Sequence, residues 1–185
     1  MNLKPLAAAL AACGLALSAS AYAAGDKAAY NAEKDRIDNE YKAEKERCGS
    51  MSGNAKDVCE AQAKGKQKVA KAEAEANYKG TPKAQADAKV ARADADYDVA
   101  KEKCDDMAGN AKDVCVKEAK AAHTRAKSEA RAQRSTKEAR AEAKRDTREA
   151  NYEVAKEKCE SLSGDAKDKC MANAKARHGR SASGS

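Results

Sequence analysis

A pair of cysteines separated by ten residues occurs three times in this 185-residue chain. The pairs are Cys48–Cys59, Cys104–Cys115 and Cys159–Cys170, and each encloses a Gly-Asn/Asp-Ala-Lys-Asp sequence. Glycine often ends a helix in the left-handed conformation and asparagine often caps the next one, so Gly53 and Asn54 predict a turn. The two cysteines lie equally far from that turn, which places them opposite each other in an antiparallel hairpin. The pattern therefore predicts three disulfide-linked helical hairpins.

The similarity extends beyond the cysteines and divides the chain into repeats. Corresponding cysteines recur after 56 residues (Cys48 to Cys104) and then after 55 (Cys104 to Cys159). A fixed period of this length is typical of proteins built from repeated supersecondary units. We therefore predict these segments: a signal peptide at 1–23, hairpin repeats at 24–80, 81–135 and 136–178, the last one truncated, and a disordered tail at 179–185.

The two junctions between repeats differ in their residues. At the first, Gly80, Thr81 and Pro82 supply a helix end, an N-cap and a first-turn proline, which predicts a helix break. At the second, Ser135 and Thr136 are accompanied by neither glycine nor proline. There the sequence allows either a capped break or one continuous helix.

The first 23 residues have the pattern of a secretory signal peptide. A basic start at Lys4 precedes an apolar run at 6–17 and the small-x-small cleavage site Ala21-Tyr22-Ala23. The alternative is a lipoprotein signal, because Leu10-Ala-Ala-Cys13 resembles a lipobox that would attach lipid to Cys13. Both routes predict export to the periplasm, where disulfides persist, and both leave six cysteines for three bridges.

Few large apolar residues are available to build a core. The chain has no Phe and no Trp, and after the signal peptide Leu162 and Ile37 are its only leucine and isoleucine. Alanine, lysine, glutamate and arginine, which are strong helix formers, dominate instead. We therefore predict an all-α protein that is elongated or coiled-coil-like, with no large globular core and no pocket for a small-molecule substrate.

Tyrosine, methionine and alanine mark the predicted contact between the arms of each hairpin. In the first arm, Tyr41, Cys48 and Met51 fall on one helical stripe, which recurs in the later repeats. In the second arm, alanines fall on a narrow stripe with the other cysteine. The members of that stripe are Ala55, Cys59, Ala63, Ala70 and Ala74 in the first repeat and Ala111, Cys115, Ala119, Ala122, Ala126 and Ala130 in the second.

Charge is the main feature that suggests a binding role. The net charge is +7, basic residues outnumber acidic ones in 117–148, and Lys175, Arg177 and Arg180 have no acidic neighbour within 171–180. Such an excess is either a solvated surface or a surface attracted to peptidoglycan or anionic lipid. Nucleic acid is not predicted as a partner, because stacking aromatics are scarce and the chain is exported.

No cofactor or catalytic group is predicted. Ten residues between paired cysteines exceed the short spacing of zinc sites, so no metal site is expected. The same spacing lacks the arrangement that activates a redox thiol, although thiol–disulfide exchange stays open as an alternative function. His123 and His178 occupy equivalent positions in separate repeats, and we predict that both are surface residues with little role.

The string Gly109-Asn-Ala-Lys-Asp-Val-Cys115, followed by Lys117-Glu-Ala-Lys120, resembles a group of uncharacterised proteobacterial periplasmic proteins built from Ala/Lys-rich repeats. The resemblance covers essentially the whole chain after the signal peptide. The composition is also similar to the long periplasmic helical segment of TolA. Both resemblances imply an envelope location and neither implies a catalytic residue. We therefore predict a non-catalytic structural or interaction protein of the cell envelope that associates with itself or with envelope components.

Overall fold

The computed structural model describes residues 25–178, and almost all of them are helical. The helices are α1 (Lys27–Cys48), α2 (Gly53–Lys79), α3 (Pro82–Cys104), α4 (Gly109–Glu160) and α5 (Gly164–His178). The prediction of an all-α protein without a large globular core is confirmed. The predicted signal peptide, Cys13 and the tail at 179–185 lie outside the described residues.

The helices form a layer that is one helix thick. Among residues 25–178, each helix contacts only its neighbours in sequence: α1 with α2, α2 with α3, α3 with α4, and α4 with α5. α2 and α3 therefore each lie between two antiparallel neighbours. The largest fully buried side chains among these residues are Ile37 and three disulfide cysteines, Cys48, Cys104 and Cys159.

The first junction reverses the chain as its sequence predicts. Gly80 ends α2 with a left-handed φ of 62°, and its N–H donates to the Ala76 carbonyl at 2.9 Å. The Thr81 hydroxyl oxygen accepts from the Ala84 N–H at 3.1 Å, and Pro82 begins α3. This order matches the helix-end and helix-start preferences of glycine, threonine and proline. α3 consequently folds back along α2.

The second junction does not break the helix. α4 is one helix of 52 residues that passes through Ser135 and Thr136, so its length is about 78 Å at 1.5 Å per residue. The second repeat is one residue shorter than the first at this point, and the residue without a counterpart is Gly80. The predicted boundary between 135 and 136 is therefore not a structural break, and the continuous helix is the alternative that the structure adopts.

Small residues make the contact between α2 and α3. Ala76, Ala84 and Ala88 form a buried cluster with Ala72 against it. At Gly65 the two helices approach so closely that an added Cβ would lie 3.0 Å from the Ala95 Cβ. Such proximity brings many atoms within dispersion range although each side chain is small.

Replacing Gly65 by leucine is expected to destabilise the protein by about 1–3 kcal/mol, because the new side chain forces α2 and α3 apart. Urea unfolding followed by circular dichroism measures the effect. The matched control is Ala55→Leu, an exposed position near the start of the same helix, where the expected change is within about 0.5 kcal/mol. Equal effects at the two positions would contradict close packing at Gly65.

Candidate functional site

The three hairpin tips share one covalent geometry. The Cα atoms of the bridged cysteines lie 5.6, 5.8 and 5.7 Å apart, within the range that a disulfide accepts. The first cysteine of each pair has no exposed surface. The bonds are those that the repeat predicts: Cys48–Cys59, Cys104–Cys115 and Cys159–Cys170.

The predicted position of the turn is wrong. α1 ends at Cys48 itself, the chain reverses through residues 49–52, and Cys59 lies well inside α2, so the two cysteines are not equally far from the turn. Gly53 does have a left-handed φ of 56°, but it is the first residue of α2 and not the residue after α1. Asn54 does not cap the helix, and its buried amide nitrogen has no hydrogen-bond partner among the described residues. The sequence pattern thus identifies a glycine with a left-handed conformation, but it does not show whether the helix lies before or after that glycine.

The prediction that Met51 packs between the arms is also wrong. Met51 lies in the first tip and is 44% exposed, and its counterparts Met107 and Leu162 are 46% and 41% exposed. The helix that would carry Met51 onto the tyrosine stripe ends three residues earlier, at Cys48. Tyr41, by contrast, is half-buried as predicted.

Ion pairs reinforce the second and third tips. Lys112 Nζ lies 2.8 Å from the Asp105 carboxylate, and Lys167 Nζ lies 2.7 Å from the Glu160 carboxylate. In each pair the acid directly follows the first cysteine and the lysine precedes the second. The Lys112 ammonium lowers the pKa of Asp105, and the Lys167 ammonium lowers that of Glu160. Each pair therefore closes the same turn as the disulfide beside it.

A polar clamp joins α3 to α4 midway along the second hairpin. His123 Nε2 donates to the Asp94 carboxylate at 2.5 Å, and Lys127 Nζ lies 3.1 Å from the same oxygen. The His123 ring stacks on Tyr97 with ring centroids 4.9 Å apart. The His123 side chain is only 19% exposed. The prediction that His123 is a surface residue with little role is therefore wrong: it holds two helices together.

The first hairpin has an equivalent clamp in which glutamine replaces histidine. Gln67 Nε2 donates to the Asp38 carboxylate at 2.6 Å, and Lys71 Nζ lies 2.5 Å from it. These residues correspond by repeat position to those of the second clamp. Because glutamine makes this contact in the first hairpin, the hydrogen bond to the aspartate does not require a histidine.

The third hairpin keeps only part of this arrangement. Glu149 and Tyr152 stand at the positions of the clamp aspartate and tyrosine. His178 is the half-buried last residue of α5, beside Asn151 and Val154 of α4. The counterpart of the clamp lysine is Ala182, which lies outside the described residues.

The carboxylates of the clamps have lowered pKa values. Burial raises the pKa of Asp94, but hydrogen bonds from His123 and Lys127 together outweigh it. The hydrogen bond from Lys71, helped by that from Gln67, lowers the pKa of Asp38. A carboxyl with a lowered folded-state pKa stabilises the fold above its unfolded value, about pH 4, and loses that contribution as pH falls through the folded value.

Replacing Asp94 by asparagine is expected to lower the free energy of unfolding at pH 7 by roughly 1 kcal/mol, a charged hydrogen bond discounted for solvent exposure. The difference from the unchanged protein is expected to shrink below about pH 4, where the clamp carboxylates become protonated. Urea unfolding at pH 7 and pH 3 measures both effects. Asp96→Asn, at an exposed position on the same helix, is the control. A difference that persists at pH 3 would contradict the clamp.

The predicted basic region 117–148 lies entirely on α4. All residues from 135 to 150 are exposed, so this part of α4 presents its charges on every side. Lys175 and Arg177 are exposed on α5, whereas Arg180 lies outside the described residues. The open grooves that do occur lie between neighbouring helices.

Residues 25–178 contain no cluster of three metal-binding side chains. None of the five helices is both long and apolar enough to cross a membrane. Comparison with protein-family models, curated proteins and solved structures gave no match. A function for this chain is therefore inferred from its own geometry.

Proposed function

We propose that this protein is a non-catalytic structural or interaction protein of the bacterial cell envelope. The observation that supports it most is the identity of the buried residues. Three of the largest fully buried side chains of the described residues are disulfide cysteines, and the rest of the packing is mainly alanine. Such a fold is suited to an oxidising compartment, because its bridges supply stability that a thin core does not.

The arrangement of the helices exposes large surfaces and is poorly suited to enclosing a ligand. A layer one helix thick exposes two faces and carries an apolar residue at each tip, at Met51, Met107 and Leu162. A small-molecule site normally needs a concave, largely apolar pocket. Long charged faces and protruding tips instead favour contacts with another macromolecule.

Cell fractionation combined with thiol alkylation tests the location. We expect the full-length chain in the periplasm, with all cysteines after the signal peptide resistant to alkylation. A chain without residues 1–23 should stay in the cytoplasm with reactive thiols. Cys13→Ser separates the two export routes: it leaves a soluble periplasmic protein unchanged and releases a lipoprotein from the membrane. A full-length chain in the cytoplasm with free thiols would overturn the proposal.

Binding to an anionic surface is the second candidate, favoured by the exposure of α4 between 135 and 150. Basic side chains near an anionic polymer or lipid contribute mainly by charge, so binding should weaken with salt. We expect co-sedimentation with peptidoglycan or with phosphatidylglycerol vesicles at low ionic strength and its loss at high ionic strength. The two materials distinguish the two sources of negative charge.

Matched triple variants locate that surface. Lys144, Arg145 and Arg148 are replaced by glutamine in one protein, and Lys42, Lys45 and Arg47 in the other. Both sets are exposed and remove the same charge. Only the α4 set is expected to abolish binding. Equal losses would indicate non-specific attraction, and binding that does not depend on salt would exclude this candidate.

Thiol–disulfide exchange is the third candidate, and burial argues against it. Exchange needs access of an attacking thiolate to a sulfur atom. The first cysteine of each bridge has no exposed surface, and the second is half-buried, so access to both sulfurs is restricted. Reduction potentials below about −300 mV would mark the bridges as structural. Potentials near those of exchange catalysts would support a redox role instead.

A further inference from the structure

Half of α4 lacks the neighbour that the equivalent sequence has one repeat earlier. α3 buries Ala84 and Ala88 in its contact with α2. Their counterparts on α4 are Ala139 and Ala143, and both are exposed. The repeat therefore retains the contact residues in a place where residues 25–178 supply no partner helix.

The α4 residues that correspond to the α2 side of this contact are exposed as well. α2 contributes Ala72 and Ala76 to its contact with α3. The counterparts of these two residues, Ser128 and Ala132, lie in the first half of α4 and are exposed. α4 thus carries both sides of an interface that α2 and α3 form between them. Because α4 does not bend at 135–136, its two halves cannot pack on each other.

The continuous helix aligns both sets on one face. On each side of the adjacent pair Ser135 and Thr136, the positions from Ala121 to Ala150 recur at steps of three or four residues, which follows the 3.6-residue turn. We call this face the α4 stripe, and all of its members are exposed. The α4 stripe consists of Ala121, Arg125, Ser128, Ala132, Ser135, Thr136, Ala139, Ala143, Asp146 and Ala150.

The α4 stripe is symmetric about the junction between Ser135 and Thr136. Reversing the direction of the helix about that point exchanges Ala132 with Ala139 and Arg125 with Asp146. In a two-fold dimer, a residue of one copy that contacts a second residue of the other copy is repeated by the reverse contact, so each contact occurs twice. The symmetric positions of the α4 stripe fit such an interface.

We propose that two copies of this chain associate through antiparallel packing of their α4 stripes, with the two-fold axis at residues 135–136. Ala132 and Ala139, which meet at the centre, are equivalent to Ala76 and Ala84 of the contact between α2 and α3. Farther out, Ala121 stands where α2 has Gly65. In the dimer, the first half of each α4 takes the place of α2, and the second half of its partner takes the place of α3. The second junction lacks a counterpart of Gly80, which reverses the chain at the first junction. The contact that α2 and α3 make within one chain is therefore made between two chains by α4.

Charge favours the antiparallel arrangement. Arg125 and Asp146 are the charged members of the α4 stripe, and antiparallel packing places each opposite the other. Parallel packing would place like charges together, which is destabilising. Within residues 25–178, neither Arg125 nor Asp146 forms a salt bridge.

Residues beside the α4 stripe are complementary too. At about a quarter turn on one side lie Glu129 and Arg140, and on the other lie Arg131 and Glu142. The two-fold axis brings the members of each pair near each other across the interface. Within the described part of the chain these four residues are also without a salt bridge. Flanking charges of this kind set partner orientation in coiled coils.

The helices already packed on α4 leave the stripe open. The buried residues of α4 are Ala130 and Cys159, which face α3 and α5. At 100° per residue both lie about half a turn away from the α4 stripe. A second α4 therefore fits on the free side and extends the same helical layer.

Sedimentation equilibrium of the oxidised protein tests the dimer. We expect a dimer at micromolar concentration and a monomer for Ala139→Glu, which brings carboxylates into the centre of the interface. The control is Ala141→Glu, the same change at an exposed position on the far side of α4, which should remain dimeric. A monomeric unchanged protein, or equal behaviour of the two variants, would overturn the proposal.

A charge exchange tests the orientation. Arg125→Glu is expected to weaken the dimer at least tenfold, because it faces Asp146 of the second copy, and Arg125→Glu with Asp146→Arg should restore it. Failure of the double variant to restore the dimer would exclude the antiparallel register. The inference rests on the proposed structural function, but the two fail separately: a monomer with intact bridges in the periplasm refutes only the dimer.

Discussion

Replacing Cys104 and Cys115 together by alanine is expected to lower the free energy of unfolding by about 3 kcal/mol. The bridge closes a loop of about a dozen residues, and the chain-entropy model assigns a loop of that size about this value. Loss of the buried Cys104 sulfur from the tip adds to the effect. Urea unfolding of the oxidised proteins at pH 7 gives the difference directly.

Met107→Ala is the control for that measurement. Met107 lies in the same tip but is 46% exposed, so the expected change is within about 0.5 kcal/mol. If removal of the bridge costs less than about 1 kcal/mol, the tip is held by its other contacts, such as the Lys112–Asp105 pair. That outcome would contradict a dominant stabilising role for the disulfide.

Insertion of a glycine between Ser135 and Thr136, combined with Lys137→Pro, is expected to break α4. The change recreates the residues of the first junction, where glycine, threonine and proline reverse the chain. The third hairpin should then fold back on the first half of α4, and the maximum dimension of a monomer should fall by roughly 35 Å. Small-angle X-ray scattering measures this dimension.

Insertion of an alanine at the same point is the control. It keeps the helix continuous but turns its second half by about 100°, so the α4 stripe no longer lies on one face. We expect an extended monomer from the alanine variant and a compact monomer from the glycine–proline variant. If the glycine–proline variant keeps its full length, the junction residues do not decide the fold of this region.

The elements that the sequence predicts well are those set by local chemistry or by covalent distance. The repeat of the cysteines predicts their pairing, since a short loop favours local bonds. Gly80, Thr81 and Pro82 predict the first junction because each restricts the backbone in a known way. Abundant helix formers and scarce large apolar residues predict an all-α protein without a large globular core.

The elements that the sequence predicts poorly depend on contacts between helices. The role of His123 follows from the proximity of Asp94 and Tyr97, which belong to another helix. A comparison with the first repeat would have suggested it, because Gln67 stands at the same position beside an equivalent aspartate, Asp38. The exposure of Met51 depends on where α1 ends, and a left-handed glycine in the sequence does not determine the last residue of α1.

The structure of the second junction is predicted only in part from the sequence. The change of cysteine spacing from 56 to 55 residues is visible in the sequence, and it marks the loss of the glycine that reverses the chain. Its consequence was open, because Ser135 and Thr136 permit both a cap and a helix interior. The structure shows a continuous helix, which creates the long exposed face of α4.

Comparison of urea unfolding before and after reduction of the three disulfides tests most directly whether the bridges take the place of a core. Oxidised protein is expected to unfold in one cooperative transition, whereas reduced protein should lose that cooperativity, because alanine contacts alone hold the arms together weakly. Residual helical signal after reduction agrees with this expectation, since alanine-rich segments keep intrinsic helicity. Reduced protein that unfolds cooperatively with an unchanged midpoint would contradict it.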